Sequence, residues 1–289
     1  MIGLITALVL SAGAACTTGP VETVQSGFQY IEGPLWMPGT GIIFSDIPAD
    51  SIFRVDKTVF RKPSHQSNGL TLDPQGRLVI AENKNRRVVR IEADGSTTVL
   101  ADHFQGKRFN SPNDVIVRSD GSLYFTDPPY GLEGGLKGPQ AELDFAGVFL
   151  VTPKGEVNAL ARDFSMPNGL ALSPNEKTLY VSDSERHVIR AFDVATDGSL
   201  ANGRDFFNQT DLKIPDGLKV DRDGRVWATG SAIWAIAPSG ELLQKIDIPE
   251  EPSNCAFGDA DYKSLYVTAV HGLYKVRTTV AGIAPGPGK

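Results

Sequence analysis

The stretch Asn68-Gly-Leu-Thr-Leu-Asp-Pro-Gln-Gly-Arg-Leu-Val-Ile, residues 68–80, holds two short apolar runs separated by a Pro-x-Gly turn. Comparable stretches recur along the chain, and each opens on a residue with a side-chain oxygen. The opening residues, called the anchors below, are Glu32, Asn68, Asn113, Asn168, Asp216 and Asn254. Most copies continue with a third, alternating run, and several add a fourth. Alternating runs separated by tight turns are typical of antiparallel β-strands.

Six repeats of about four strands predict an all-β fold, a six-bladed β-propeller over residues 21–277. The last copy has room for only three strands, so residues 21–27 are expected to supply its outer strand and close the ring from the N-terminal side. An open β-sandwich is the structural alternative. The Gly- and Pro-rich end of the chain, residues 278–289, is expected to be a flexible tail.

The composition of the chain excludes several kinds of partner and site. The 289 residues include 28 Lys plus Arg against 34 Asp plus Glu, a net charge of −6 without a long basic run. Nucleic acid is therefore excluded as a partner. Two cysteines cannot form a disulfide framework or a cysteine-based zinc site, and the four histidines share no metal-binding spacing. No nucleophile elbow or phosphate-binding loop occurs.

The first residues are typical of an export signal. A short apolar run, residues 2–10, precedes five small residues and then Cys16. The run is too short to span a membrane, so residues 1–15 are predicted to be a signal peptide. Small residues directly before a cysteine also resemble a bacterial lipoprotein cleavage site, in which Cys16 would carry a lipid anchor. The expected location is the periplasm or the membrane surface.

The anchors are candidate ligands. In a propeller, the residue just before each innermost strand lies at one mouth of the central channel, so the six anchors should form a ring there. Two carboxylates and several amides on one axis repel one another unless a cation lies between them. Oxygen ligands favour calcium, with magnesium or manganese next and zinc after them. Each Asn-Gly pair is by itself also an ordinary turn pair.

A second set of acids follows the anchors by fourteen or fifteen residues. It consists of Asp46, Glu82, Asp127 and Asp183. These acids are expected to return to the same mouth and to cap turns there. Asp127 is the exception, because it opens the longest insert, residues 127–144. That insert is expected to form a lid, and Asp127 is predicted to contact substrate.

Several motifs carry a family resemblance. They are Glu32-Gly-Pro-Leu-Trp, Ser111-Pro-Asn-Asp with Thr126-Asp-Pro-Pro-Tyr-Gly, Pro167-Asn-Gly-Leu and Pro215-Asp-Gly-Leu. With them the chain resembles the SMP-30/gluconolactonase/regucalcin family of six-bladed propellers, most closely its bacterial gluconolactonase branch. The resemblance implies a divalent cation held by Glu32, Asn168 and Asp216, and a contact of Asn113 with substrate or metal. It also implies a substrate-binding acid in the insert, Glu133 or Glu142.

These features predict a metal-dependent lactonase that hydrolyses a sugar lactone, such as glucono-1,5-lactone, to the aldonic acid. The cation would polarise the lactone carbonyl, and Asp216 would take the proton of the attacking water. Two alternatives stay open. One is another hydrolase on the same frame, acting on an organophosphate or a more apolar lactone. The other is a non-catalytic propeller that binds sugar or protein and keeps the metal for structure.

Overall fold

The computed structural model describes residues 15–287, which form six four-stranded antiparallel sheets arranged as a six-bladed β-propeller. The first strand of each blade is innermost, and consecutive strands follow outwards. Blade 1 contains β2 (Ile31–Met37), β3 (Gly41–Asp46), β4 (Ser51–Arg54) and β5 (Val59–Arg61). Blade 2 contains β6 (Ser67–Leu72), β7 (Leu78–Glu82), β8 (Arg87–Ile91) and β9 (Thr97–Ala101). A short hairpin of β10 (His103–Phe104) and β11 (Lys107–Arg108) follows.

The remaining blades repeat this order. Blade 3 contains β12 (Val115–Val117), β13 (Leu123–Asp127), β14 (Ala146–Val151) and β15 (Val157–Phe164). Blade 4 contains β16 (Pro167–Leu172), β17 (Thr178–Asp183), β18 (Val188–Val194) and β19 (Leu200–Phe207). Blade 5 contains β20 (Leu218–Val220), β21 (Val226–Thr229), β22 (Ile233–Ile236) and β23 (Leu242–Ile246). The two helical turns of the described residues are short 3₁₀ segments, Gly135–Lys137 and Thr210–Leu212.

Blade 6 joins the two ends of the chain. It contains β24 (Pro252–Gly258), β25 (Ser264–Ala269) and β26 (Gly272–Arg277), and its outer strand is β1 (Glu22–Ser26). β1 pairs antiparallel with β26, with Glu22 opposite Lys275 and Ser26 opposite Gly272. The predicted closure of the ring from the N-terminal side is therefore confirmed, and the open sandwich is excluded.

The core lies between neighbouring blades, where the apolar positions of the alternating strands interdigitate. Blade 3 shows the packing. The rings of Phe109 and Phe125 meet edge to face at 4.9 Å, and Phe125 stacks on Phe149 at 5.2 Å. Such pairs add to the stabilisation that burial of the rings already provides.

The C-terminal segment crosses the mouth of the channel opposite the anchors. We call residues 278–287 the strap and this opening the lower mouth. Strap backbone groups bond to two blades, because Arg222 N donates to Ala281 O (2.9 Å) and Gly282 N donates to Tyr262 O (2.8 Å). Ile283, Ala284 and Pro285 cover an apolar cavity of about 80 Å³ that is lined by the ends of all six innermost strands. The expectation of a flexible tail is corrected for residues 278–287, since these tertiary contacts hold them.

The N-terminal segment also packs on the propeller. The predicted signal peptide lies outside the described residues, except for Ala15. Cys16 is 1% exposed and belongs to an apolar cluster of blades 5 and 6. Its amide donates to Gln244 Oε1 (2.7 Å), and its carbonyl accepts from Thr279 N (2.9 Å). A lipid on Cys16 would require this residue to leave that packing. Within residues 15–287, the structure has no helix of the length and apolarity needed to cross a bilayer.

Candidate active site

The six anchors meet at the upper mouth of the channel, at or just before the starts of the innermost strands. Five of them are at most 5% exposed, namely Glu32, Asn68, Asn113, Asn168 and Asn254. Asp216 is partly exposed. The predicted ring of oxygen-bearing side chains is therefore present in the structure.

The glycine after an anchor lets neighbouring blades approach the axis closely. A Cβ on Gly217 would lie 2.1 Å from Cγ of Asn254, in the next blade. A Cβ on Gly169 would lie 2.5 Å from the carbonyl oxygen of Asp216, and Gly169 N donates to that same oxygen (3.2 Å). Such distances exclude any side chain. The Asn-Gly and Asp-Gly pairs at these positions are thus close contacts between blades and not turns.

Hydrogen bonds orient the anchor side chains. Glu32 accepts from Gly33 N (2.7 Å) and from Asn254 Nδ2 (3.0 Å), and both bonds end on Oε2. That leaves Oε1 for another ligand. Asn168 Nδ2 donates to Ser184 Oγ (3.1 Å), and its side chain also bonds to Asp216. Glu32, Asn168 and Asp216 thus come from three different blades, and each is bonded to another anchor.

The charged forms of the two anchor carboxylates are disfavoured when no counter-ion is present. Burial raises the pKa of Glu32 above its usual range, and the nearby charge of Asp114 acts in the same direction. Burial also raises the pKa of Asp216 well above its usual range, and the charges of Glu32 and Asp114 add to that effect. A cation between Glu32 and Asp216 would reverse the repulsion.

The donor set fits a hard divalent cation. Glu32, Asn168 and Asp216 offer only oxygen atoms besides the Asn168 amide nitrogen, which is already bonded. A further amide oxygen in the ring, Asn68 Oδ1, is buried without a hydrogen-bond partner. No group of three or more His, Cys, Asp or Glu with metal-binding geometry occurs among residues 15–287. Any cation at the ring would therefore combine two carboxylates with amide oxygens.

Three of the four acids that follow the anchors by fourteen or fifteen residues accept hydrogen bonds from the loop that precedes their own anchor. Asp46 accepts from Gln29 N (2.9 Å), and Asp183 accepts from Ser165 N (2.9 Å) and Met166 N (3.0 Å). Asp127 does the same in blade 3 through the amides of Asn110 and Ser111, both at 2.8 Å. Glu82 instead binds Arg87 Nε at 2.6 Å.

Asp127 is consequently not placed to contact a substrate. Its side chain is 0% exposed, and both carboxylate oxygens accept backbone amides. The predicted substrate contact is replaced by a structural role, which is to fix the loop that leads to Asn113. Asn113 is 5% exposed, and its carbonyl accepts from Gly69 N (2.7 Å), next to the anchor of the neighbouring blade; its contact with a substrate stays a prediction.

The insert after Asp127 is attached to the same loop and reaches over the ring. Gly131 N donates to Ser111 Oγ (2.9 Å), and Tyr130 lies with its hydroxyl 3.4 Å from Asn168 Nδ2. Of the two acids implied for substrate binding, Glu133 is exposed. Glu142 accepts from Arg108 N (2.8 Å) at the base of the insert.

Two tyrosines flank the upper mouth. Tyr30 is 37% exposed and Tyr130 is 45% exposed. Burial and the charge of Asp216 raise the pKa of both, and for Tyr30 the charge of Glu32 contributes as well. Both phenols are therefore neutral hydroxyl donors beside the carboxylates. Glu251 lies near Tyr30 and Asp216 at the rim.

Sequence reasoning missed four residues of this site: Tyr30, Asp114, Tyr130 and Lys219. For two of these residues the sequence contains a feature that could have identified them. Lys219 is a charged residue between Leu218 and Val220 in an innermost strand, and Asp114 directly follows an anchor. The repeat pattern gave no role for the tyrosines, because their position depends on loop paths that it does not specify, although Tyr130 stands in the quoted Thr126-Asp-Pro-Pro-Tyr-Gly motif.

The class of protein is a six-bladed propeller with a ring of oxygen-bearing side chains at one mouth. The family model described as "SMP-30/Gluconolactonase/LRE-like region" matches residues 31–271, and the chain belongs to that family. A gluconolactonase of Zymomonas mobilis is 34% identical, with 91% of this chain and 82% of that protein covered. Regucalcin of Xenopus laevis is 27% identical over 91% of this chain and 95% of its own length. The solved structure of a gluconolactonase from Xanthomonas campestris has a TM-score of 0.82 and 33% identity, covering 94% of this chain and 93% of its own.

Proposed function

We propose that this protein is a lactonase that hydrolyses a sugar lactone to the aldonic acid, with a divalent cation held by Glu32, Asn168 and Asp216. The observation that carries the proposal is the pair of carboxylates, Glu32 and Asp216, in an otherwise amide-lined ring, where both pKa values are raised and the charge of Glu32 acts on Asp216. Membership of the family and the 34% identity to a gluconolactonase support the reaction class.

A cation bound at the ring would supply an electrophile for the lactone carbonyl and would lower the pKa of a nearby water. Calcium is the first choice, because all ligands are oxygen atoms. Asp216 is the residue that accepts the proton of the attacking water, since it is the carboxylate-bearing anchor that is not fully buried. The proton then passes to the alkoxide oxygen released when the ring ester bond breaks, which leaves a hydroxyl and a carboxylic acid on one product, and the acid then loses its proton to solvent.

The chain's own polar groups orient the sugar ring. Asn113 belongs to the anchor ring, and Tyr30 and Tyr130 offer both an aromatic face and a hydroxyl donor. Aromatic faces suit the C–H face of a sugar ring, and the hydroxyls pair with those of the ring. This polar rim favours a polyhydroxylated lactone over an apolar lactone.

The experiment compares two lactones with and without a chelator. Glucono-1,5-lactone should be hydrolysed above its spontaneous rate, and the excess rate should vanish after chelation and return with calcium. A six-membered lactone without ring hydroxyls should have a kcat/KM lower by a factor of 10 or more, because it leaves the polar rim unpaired. No excess rate with either lactone in the calcium-loaded protein would favour the non-catalytic propeller. A higher rate with the apolar lactone would favour a different hydrolase.

We also propose that the protein is exported, on the basis of residues 1–15. Mass spectrometry of the natively expressed protein should show a chain that begins at or near Cys16. An intact Met1 would contradict export, and a diacylglyceryl mass on Cys16 would indicate a lipoprotein.

A further inference from the structure

The channel beneath the anchor ring contains a third carboxylate and an amine that the proposed reaction does not use. Asp114 is 2% exposed, and its charge acts on both Glu32 and Asp216. Its Oδ1 accepts from Val115 N (2.9 Å), whereas Oδ2 is buried without a hydrogen bond. The nearest cation is Lys219, whose Nζ lies 3.7 Å from that oxygen.

Lys219 lies between the polar ring and the apolar cavity. Its Nζ donates to Leu218 O (3.1 Å) and lies 3.5 Å from Asn254 Oδ1. The Asn254 amide in turn donates to Glu32 Oε2 (3.0 Å). Lys219 is thus linked to Glu32 through one amide and to Asp114 directly. Lys219 is also one of the residues that line the apolar cavity below.

Charge balance explains why an amine is placed here. Glu32, Asp114 and Asp216 carry three negative charges when ionised, and a divalent cation neutralises two of them. One ammonium group neutralises the third. The three acids do not form a three-carboxylate cluster of metal-binding geometry in the part of the chain that is described, so Asp114 is outside the ligand set.

We propose that Lys219 is a positioning residue that pairs with Asp114 and keeps this carboxylate from coordinating the cation at the ring. The inference rests on the cation site of the proposed function. Without Lys219, Asp114 would become available to the cation as a third carboxylate, and the cation would bind more tightly. With Lys219 present, the site holds two carboxylates and keeps a coordination position for water or substrate.

The test is calorimetric titration of the chelator-treated, full-length protein with calcium chloride at one pH and low salt. Lys219→Met keeps the length and the apolar stem and removes the charge. We expect its calcium dissociation constant to fall by about tenfold or more, since a nearby positive charge is lost. An ordinary structural lysine would give the opposite result, because its loss disturbs the site and weakens binding.

Three further variants complete the comparison. Asp114→Asn should weaken calcium binding by about tenfold, because Lys219 then repels the cation without a partner. The double variant should return to within about threefold of the unaltered protein. Lys219→Arg keeps the charge and serves as the conservative control, with the dissociation constant within about threefold. Asp114→Asn also tests the inference if Lys219→Met does not fold.

The outcomes separate this inference from the proposed function, because no lactone is used. Unchanged or weaker calcium binding in folded Lys219→Met overturns the role of Lys219 alone, as does unchanged binding in Asp114→Asn. Failure of the unaltered protein to bind calcium overturns both the role and the cation site.

Discussion

The two mouths of the central channel are formed by opposite ends of the same six innermost strands, yet they differ in chemistry. The upper mouth carries carboxylates, amides and tyrosines, and its ring is open to solvent at Asp216. The lower mouth is apolar, and the strap closes it with Ile283, Ala284 and Pro285. Because the innermost strands begin with polar residues and end with apolar ones, the candidate site lies at one end of the propeller and the strap closes the other end.

The difference shows how a symmetric fold acquires a single site. Every blade contributes the same backbone at both mouths. The chemistry of the upper mouth therefore depends on which side chain each repeat has at its anchor position. Substitutions at the upper mouth should consequently change turnover, whereas substitutions at the lower mouth should change stability.

The largest effect is expected for Asp216→Asn at the upper mouth. Lactonase kcat should fall by a factor on the order of 10² to 10⁴, because the amide cannot accept a proton. Circular dichroism should show an intact propeller. The matched control is Asp223→Asn, at an exposed turn between β20 and β21 of the same blade, and it should change kcat by less than about twofold.

Glu32→Gln separates the two roles given to Asp216. It removes one negative charge from the ring and leaves the proposed base in place. Excess calcium should restore much of its activity but little of that of Asp216→Asn. If excess calcium restores both variants equally, Asp216 is only a ligand.

Removal of residues 282–289 should affect stability more than turnover. The truncation exposes the apolar cavity and costs about 2 to 3 kcal/mol, in line with the loss of a few half-buried apolar side chains. The midpoint of thermal unfolding should drop by about 5 to 10 °C, while kcat stays within about threefold. Ile283→Ala should give a smaller drop in the same direction. A loss of turnover as large as that of Asp216→Asn, in folded protein, would show that the mouths are coupled.

Chelated protein should lose stability as the pH rises. The pKa values of Glu32 and Asp216 are raised in the fold, so the folded state binds more protons than the unfolded state above about pH 4. Their contribution is fully present below that pH and is lost as the pH rises through the folded pKa values. We expect the free energy of unfolding to fall by about 1 to 3 kcal/mol between pH 5 and pH 8.

Thermal unfolding at these two pH values checks the pH dependence. Calcium should flatten it, because the charged forms are then paired, and Glu32→Gln should flatten it in part without calcium. If the Glu32→Gln, Asp216→Asn double variant keeps the full pH dependence of thermal unfolding, other titratable groups cause it.

The smallest effect is expected for Tyr130→Phe. Loss of the hydroxyl removes one hydrogen bond worth about 1 kcal/mol, so KM for the sugar lactone should rise about three- to tenfold with little change in kcat. Tyr262→Phe, near the strap on the lower face, is the control and should leave KM unchanged. An equal KM for Tyr130→Phe and the unaltered protein would remove Tyr130 from substrate binding.

Local patterns were sufficient to predict the blades, the anchors and the closure by β1, because all three repeat along the sequence. They failed where contacts come from distant segments. The strap is rich in Gly and Pro, and its contacts with residues far away in the sequence, such as Cys16, Arg222 and Tyr262, order it. The insert made Asp127 look exceptional, whereas the structure gives it the same task as Asp46 and Asp183.

Closure of the ring by β1 has a consequence for how the chain folds. Blades 1 to 5 are each local in sequence, so each can pair its own strands soon after synthesis. Blade 6 needs β1 and β26, the first and last strands within residues 15–287, to find each other across about 250 residues. The slow, rate-limiting search in folding should therefore be this final pairing, and a nascent chain that lacks residues 272–277 would remain an open, unfinished ring with an unpaired strand edge.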